Sequence, residues 1–255
     1  MMSCWYSIWD NIMRYEIAGI SDKGNVRPDN QDSILMCCEG DTALLAVADG
    51  MGGLACGKQA SQLAVDILRA AWPDIQCAAD MEEASALLED AIYEAHRQIF
   101  YLAESIGERT GSTLSVLFLK GRMYRIKQIG DSRIYCVRRG KIEQLTVDQT
   151  WCNMMVQTGQ LDEEQAAHHR MRHFLVNALG VSQELEIADE QGTVRGGECY
   201  LLCSDGFYNE AAVENVPEIL YRQNLAQALE ELLSDVLRGQ ARDNVSVVAC
   251  AVSLL

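Results

Sequence analysis

The stretch "DSILMCCEGDTALLAVADG" runs from Asp32 to Gly50 and decides how the chain folds. Two apolar runs of strand type flank Glu39-Gly40-Asp41, a turn signal. If Gly40-Asp41 is a two-residue hairpin loop, Glu39 pairs with Thr42, and counting outward leaves Asp32 directly opposite Asp49. Cross-strand neighbours have Cβ atoms about 4.5–5.5 Å apart. Two carboxylates at that spacing repel unless a cation lies beside them. A slip of one residue would destroy the juxtaposition.

The ending of the second run recurs. "YLLCSDG" (200–206) is another apolar strand that stops at Asp205-Gly206, and a third run, 244–253, begins just after Asp243. Paired antiparallel, these two strands bring Asp205 and Asp243 out at one end. Any one such aspartate is an ordinary strand-end cap. Four on one edge form an all-oxygen donor set, which suits Mg²⁺ or Mn²⁺ rather than zinc. Gly50 would leave its carbonyl open to a metal, and Gly206 would permit a tight turn after Asp205.

The 255 residues carry a net charge of −16 with 23% charged and 49% hydrophobic residues, an ordinary globular composition. With only 3 Pro and no low-complexity tract, one domain is expected. The acidic balance argues against nucleic acid as a partner, since phosphate backbones need a basic face. Ten cysteines form no C-x-x-C pair, and most, such as Cys37, Cys136, Cys203 and Cys250, sit in apolar segments. They read as buried thiols in a reducing cytoplasm. No apolar run reaches the roughly 18 residues of a membrane span. The aromatic N-terminus "MMSCWYSIWDNIM" lacks a basic region and so is no signal peptide. It reads as an extension (1–13), with Met13 as an alternative start, or as an arm packing Trp5 and Trp9 on a partner or the core.

Strand-type runs are expected at 15–20, 33–39, 42–48, 112–119, 122–129, 132–138, 141–145, 185–189, 198–204 and 244–253. Helical periodicity covers 57–71, 81–105 and 225–238, with two shorter helices within 149–170. Asp80 and Asn224 are N-cap residues, followed three positions on by Glu83 and Gln227. Strands in blocks and helices in blocks indicate a layered α+β fold.

The motifs "SDKGNVRPDNQDS" (21–33), "AVADGMGG" (46–53), "TGSTLSVL" (110–117), "IGDSRIY" (129–135), "LTVD" (145–148), "NALG" (177–180), "LLCSDGFYN" (201–209) and "RDNVSVV" (242–248) stand in the order of one family. On these motifs the chain resembles the bacterial metal-dependent Ser/Thr protein phosphatases of the 2C type. The resemblance covers nearly everything after Tyr15. It implies a four-layer α-β-β-α sandwich, two antiparallel sheets flanked by helix pairs, with metals at one end between the sheets. By the same resemblance, Asp49 bridges two metals, the Gly50 carbonyl joins the first, and Asp205 and Asp243 bind the second. Asp32 is the nearby acid that orients the attacking water, Asp131 a ligand of a weaker third metal, and Arg27 the phosphate-binding arginine. The implied cofactors are Mn²⁺ or Mg²⁺, two tight ions and a weaker third.

Departures from the family pattern accompany the match. Met51 and Leu54 stand where relatives carry histidines that serve as candidate general acids. The stretch after Leu145 resembles a mobile flap and reads Asp148-Gln149-Thr150 in place of Asp-His-Ser. His169 and His173 have the i,i+4 spacing of a helical metal pair without a third ligand, and Arg170 and Arg172 are placed to meet an acidic phosphopeptide. Ser112 lacks a neighbouring base and reads as core packing. The implied activity is hydrolysis of phosphoserine and phosphothreonine on proteins, opposing a bacterial Ser/Thr kinase, by a cytoplasmic monomer. The alternatives are a phosphatase of a sigma-factor regulator or secretion-system component, and an inactive binding module.

Overall fold

A computed structural model describes residues 13–53 and 56–254. Trp5, Trp9 and Leu54 therefore lie outside the described residues. The hairpin forms in the expected register: β2 (Asp32–Glu39) and β3 (Thr42–Met51) pair antiparallel, Glu39 with Thr42 and Asp32 with Asp49.

Two antiparallel sheets follow from it. One has the order β2-β3-β5-β6-β9, with β5 (Leu114–Lys120), β6 (Met123–Ile129) and β9 (Ala188–Thr193), and the short β4 (Gly111–Ser112) pairs with the end of β3. The other has the order β1-β11-β10-β7-β8, formed by β1 (Met13–Asp22), β11 (Val245–Leu254), β10 (Cys199–Cys203), β7 (Arg133–Arg138) and β8 (Lys141–Gln144). Leu45, Val47, Leu117, Tyr200, Leu202 and Val248 fill the space between the sheets.

Each outer face is covered by helices. Helices α1 (Cys56–Cys77) and α2 (Met81–Ile106) bury Ala64, Leu68, Leu88 and Ile92 against β3 and β5 residues such as Leu44 and Phe118. Between β8 and β9 run α3 (Trp151–Gln157) and α4 (Glu163–His168). After β10 come α5 (Asp205–Tyr208), α6 (Val216–Arg222) and α7 (Leu225–Arg238), and the last two pack Val216, Leu229, Leu232 and Val236 on Leu201 and Val247. The result is the four-layer α-β-β-α sandwich with three apolar seams.

Local signals explain most boundaries. Asp80 Oδ1 accepts from Glu83 N at 2.9 Å, and Asn224 Oδ1 from Gln227 N at 3.0 Å. Glu83 reaches back to Ala79 N, one residue beyond the usual capping-box partner. Helix α1 continues past its expected end through Pro73, because the buried Ile75 anchors the last turn and outweighs the lost hydrogen bond. The strand expected at 185–189 lies later, at 188–193. It is a polar edge strand, held by Asp189, which pairs with Arg125 and with the fully buried Lys127. The strand expected at 112–119 breaks at Thr113. Cys203 and Cys250 are buried as expected, whereas Cys37 and Cys136 are half-buried and Cys38 and Cys77 are exposed.

Candidate active site

The ends of β2, β3, β10 and β11 meet at one pole, because β10 and β11 pair antiparallel with Cys203 opposite Val247. A cavity of about 630 Å³ opens there. Arg27, Asp49, Gly50, Asp131, Asp205 and Asp243 line it, and Asp32 lies buried beneath. The geometry thus gathers residues that span more than two hundred positions of chain.

Backbone packing holds each acid. A Cβ on Gly50 would sit 2.0 Å from the Gly57 carbonyl oxygen, so only glycine lets β3 pass under the first turn of α1. A Cβ on Gly206 would sit 2.1 Å from the Asn244 carbonyl oxygen. Gly206 is therefore required by the close approach of Asn244, which leads into β11, not by the tight turn expected from the sequence; it lies in the short helix α5.

Four polar residues that sequence reasoning did not assign to the site position it. Thr113 Oγ1 accepts from Asp49 N at 2.9 Å and bonds Ser132 Oγ at 2.8 Å, which joins the strand end of Asp49 to the turn of Asp131. Ser112 Oγ donates to the Asp49 carbonyl at 3.1 Å, so this buried serine is a backbone clamp. Ser204 Oγ donates to Asp32 Oδ2 at 2.7 Å and accepts from Ser246 N at 3.0 Å. Asn244 accepts from Gln31 N and donates to the carbonyls of Lys23 and Asp29, fastening the loop that carries Arg27.

The acids strain one another electrostatically. Burial, then the charges of Asp205 and Asp148, pushes Asp131 up to about 7. Burial with Asp243 and Asp32 pushes Asp205 up to about 6. Asp32 rises to about 6 by burial, against hydrogen bonds from Ser246 and Ser204 that pull it down. Asp49 lies well above the usual carboxylate range, through burial and then the facing acids Asp32 and Asp205. Arg27 ion-pairs with the fourth acid of the edge, its Nη2 2.6 Å from Asp243 Oδ2, and the nearby charge of Arg133 draws Asp131 down.

A divalent cation fits this set. Asp32 Oδ1 is buried without a hydrogen-bond partner, and a cluster of mutually repelling hard oxygens lacks the positive charge that would stabilise it. Among the described residues no three carboxylate, imidazole or thiolate groups already surround one point. A hard cation that fills its shell with backbone carbonyl and waters needs only one or two carboxylates, and Asp243 is drawn toward Arg27.

The flap stands over one side of the cavity. Its neck is a bridge between Thr150 and Leu175, and Gln149 ties the neck to the Asp131 turn: Gln149 N donates to the Gly130 carbonyl at 3.0 Å and Gly130 N to Gln149 Oε1 at 2.7 Å. Arg133, ion-paired to Asp148 at 2.7 Å, lies 3.6 Å over the Tyr208 ring. Helix α4 ends at His168, so His169 and His173 do not share a helical face and the i,i+4 metal pair does not form. His169 stacks on Trp151, while His173 lines the cavity.

This sandwich with its acid-lined pole defines a phosphatase-type fold, and the sequence model of protein phosphatase 2C matches residues 26–244. The chain belongs to the protein phosphatase 2C family. It is 35% identical over 243 residues to the serine/threonine protein phosphatase PstP of Mycobacterium tuberculosis, covering 94% of this chain and 45% of PstP. The chain thus spans less than half the length of that relative. The solved S. agalactiae serine/threonine phosphatase superimposes with a TM-score of 0.88 at 27% identity, covering 93% of this chain and 99% of that one. The catalytic domain of PstP in complex with 2 manganese ions superimposes with a TM-score of 0.81 at 34% identity, over 95% and 99% of the two chains.

Proposed function

We propose that residues 14–255 form one phosphatase domain that hydrolyses phosphoserine and phosphothreonine on proteins with the help of Mn²⁺ or Mg²⁺. The observation that carries this reading is the convergence of Asp49, Gly50, Asp131, Asp205 and Asp243 with Arg27 on one cavity. Asp49 would serve both of two ions, the Gly50 carbonyl the first, Asp205 and Asp243 the second, and Asp131 a weaker third. Bound cations would supply an activated water and neutralise phosphoryl charge.

The chain's own groups supply the rest. Arg27 offers a planar fork to two phosphoryl oxygens at the mouth, where it is half-exposed and within reach of substrate. Asp32, fixed by Ser204 on one oxygen, presents its other oxygen as an acceptor that orients the attacking water. The Asn244 clamp holds the Arg27 loop in register with the acids. No side-chain nucleophile is needed: Ser112 is fully buried and committed to backbone carbonyls.

Phosphorylated proteins, including a Ser/Thr kinase and its substrates, are the partners of this reading. The net charge of −16 disfavours nucleic acid. Among the described residues no helix is long and apolar enough to cross a membrane. A cytoplasmic monomer completes the proposal. The test is release of phosphate from a phosphothreonine peptide by purified protein with Mn²⁺ and with EDTA. Activity only with the metal is expected; full activity after exhaustive metal removal would overturn the reading.

A further inference from the structure

At the pole opposite the acids, a second cavity of about 380 Å³ is lined by Arg138, Arg139, Gly140, Arg195, Gly197 and Tyr221. Arg138 and Arg133 cap opposite ends of β7, about 17 Å apart at strand rise. Three guanidiniums in one cavity are unexpected in a chain of net charge −16. The carboxylate at hand is Glu198, which is buried and spent: it accepts from Arg195 N at 2.9 Å, Tyr200 Oη at 2.9 Å and Arg138 Nη1 at 3.3 Å. The side chains of Arg139 and Arg195 have no ion-pair or hydrogen-bond partner among the described residues.

A second observation is independent of charge. Arg138 pairs with Lys141, so Arg139-Gly140 is a two-residue hairpin turn. Both turn residues are left-handed, with φ of +52° at Arg139 and +74° at Gly140. Turns of this kind favour asparagine, aspartate or glycine at the first position, and arginine there is strained. Arg139 lines the cavity from a position where asparagine would fold more easily.

We propose that this cavity binds the phosphate group of a small molecule, either free phosphate or a nucleotide. Arg138, Arg139 and Arg195 match phosphate oxygens with planar forks. Tyr221, exposed beside them, offers a ring on which a base can stack. The site depends on no step of the phosphatase reading.

The test is calorimetric titration of the full chain in Mg²⁺ with inorganic phosphate, and separately with ADP. The Arg27→Ala protein, whose catalytic mouth is weakened, should still bind one phosphate. Adding Arg195→Ala should weaken that event at least about ten-fold. Tighter binding of ADP, lost in Tyr221→Ala, assigns a nucleotide; equal affinity for both ligands assigns free phosphate. Arg139→Asn should lose phosphate affinity yet melt about 2 °C higher in phosphate-free buffer, since it relieves the turn. Hydrolysis of p-nitrophenyl phosphate by Arg195→Ala and Arg139→Asn should be unchanged, which reports an intact fold. Indistinguishable isotherms for Arg27→Ala with and without Arg195→Ala would overturn the site, and a lower Tm for Arg139→Asn would overturn the argument from strain.

Discussion

Thr113→Val is the most direct probe of how the acids are held. Valine matches threonine in shape but cannot accept from Asp49 N or bond Ser132, the two contacts at 2.9 and 2.8 Å. Thr113 is buried, so no solvent replaces the lost partner. An orphaned buried donor costs about 1–3 kcal/mol. Taking about 2 kcal/mol, and about 2–4 °C per kcal/mol for a chain near this size, the Tm should fall by about 4–8 °C. The kinetic effect should exceed the thermal one, because Thr113 couples Asp49 to the Asp131 turn and a shift near 1 Å at a reacting centre can cost about 10²-fold. Phosphopeptide turnover should drop at least about ten-fold with Mn²⁺ saturating. Thr113→Ser keeps the hydroxyl and loses only a methyl, so it should lose some stability but retain turnover. Wild-type kcat and wild-type Mn²⁺ affinity in Thr113→Val would refute the positioning role.

Asp131→Ala should leave the Tm nearly unchanged but slow phosphopeptides more than p-nitrophenyl phosphate, whose phenolate leaves without a proton; parallel kinetics on both substrates check this, and equal losses would exclude a role at the leaving group. Gly206→Ala drives a methyl to 2.1 Å from a backbone oxygen, so it should destabilise the chain by several kcal/mol in urea unfolding, far more than alanine costs at an open glycine. His96, buried and accepting from Gly180 N at 3.2 Å, has its pKa lowered below 6.5 chiefly by burial. The folded state prefers it neutral, so its contribution to stability is present above pH about 6.5 and is lost as pH falls toward the folded pKa; an imidazole NMR titration should show a midpoint under 6.5, and replacing His96 with Gln should remove that acid-side loss.

The sequence revealed those parts of the fold whose signals are local. The β2–β3 register follows from one turn and two apolar arms, and that local signal alone sets Asp32 against Asp49. The helices with clear caps fell where their caps lie. What stayed hidden depends on distant partners. Strand β9 is polar along its length and exists because β6 offers it backbone and two cations. Helix α6 is short and opens around Pro217, with too few turns to show a period. Thr113, Ser204 and Asn244 look like any small polar residues until their bonds, 64, 172 and 215 positions away in chain, are seen. The Arg138–Arg139 and Arg195 segments are equally remote in sequence, and only the folded sheets bring them to one cavity.

The β2–β3 hairpin also works as a measuring rod. Its two arms hold equal counts of residues between the turn and the facing acids, so the distance from Gly40-Asp41 to the cavity, about 23 Å at strand rise, is set by counting rather than by chemistry. A Cβ on Gly40 would touch nothing, so the left-handed φ of +61° alone restricts which residues the position accepts. Arm length is not free. One residue added to a single arm must be matched in the other or absorbed in a bulge, or Asp32 rotates away from Asp49 and the site is lost. Evolution at this remote surface turn can therefore exchange residues that accept its backbone conformation, but it cannot change the spacing.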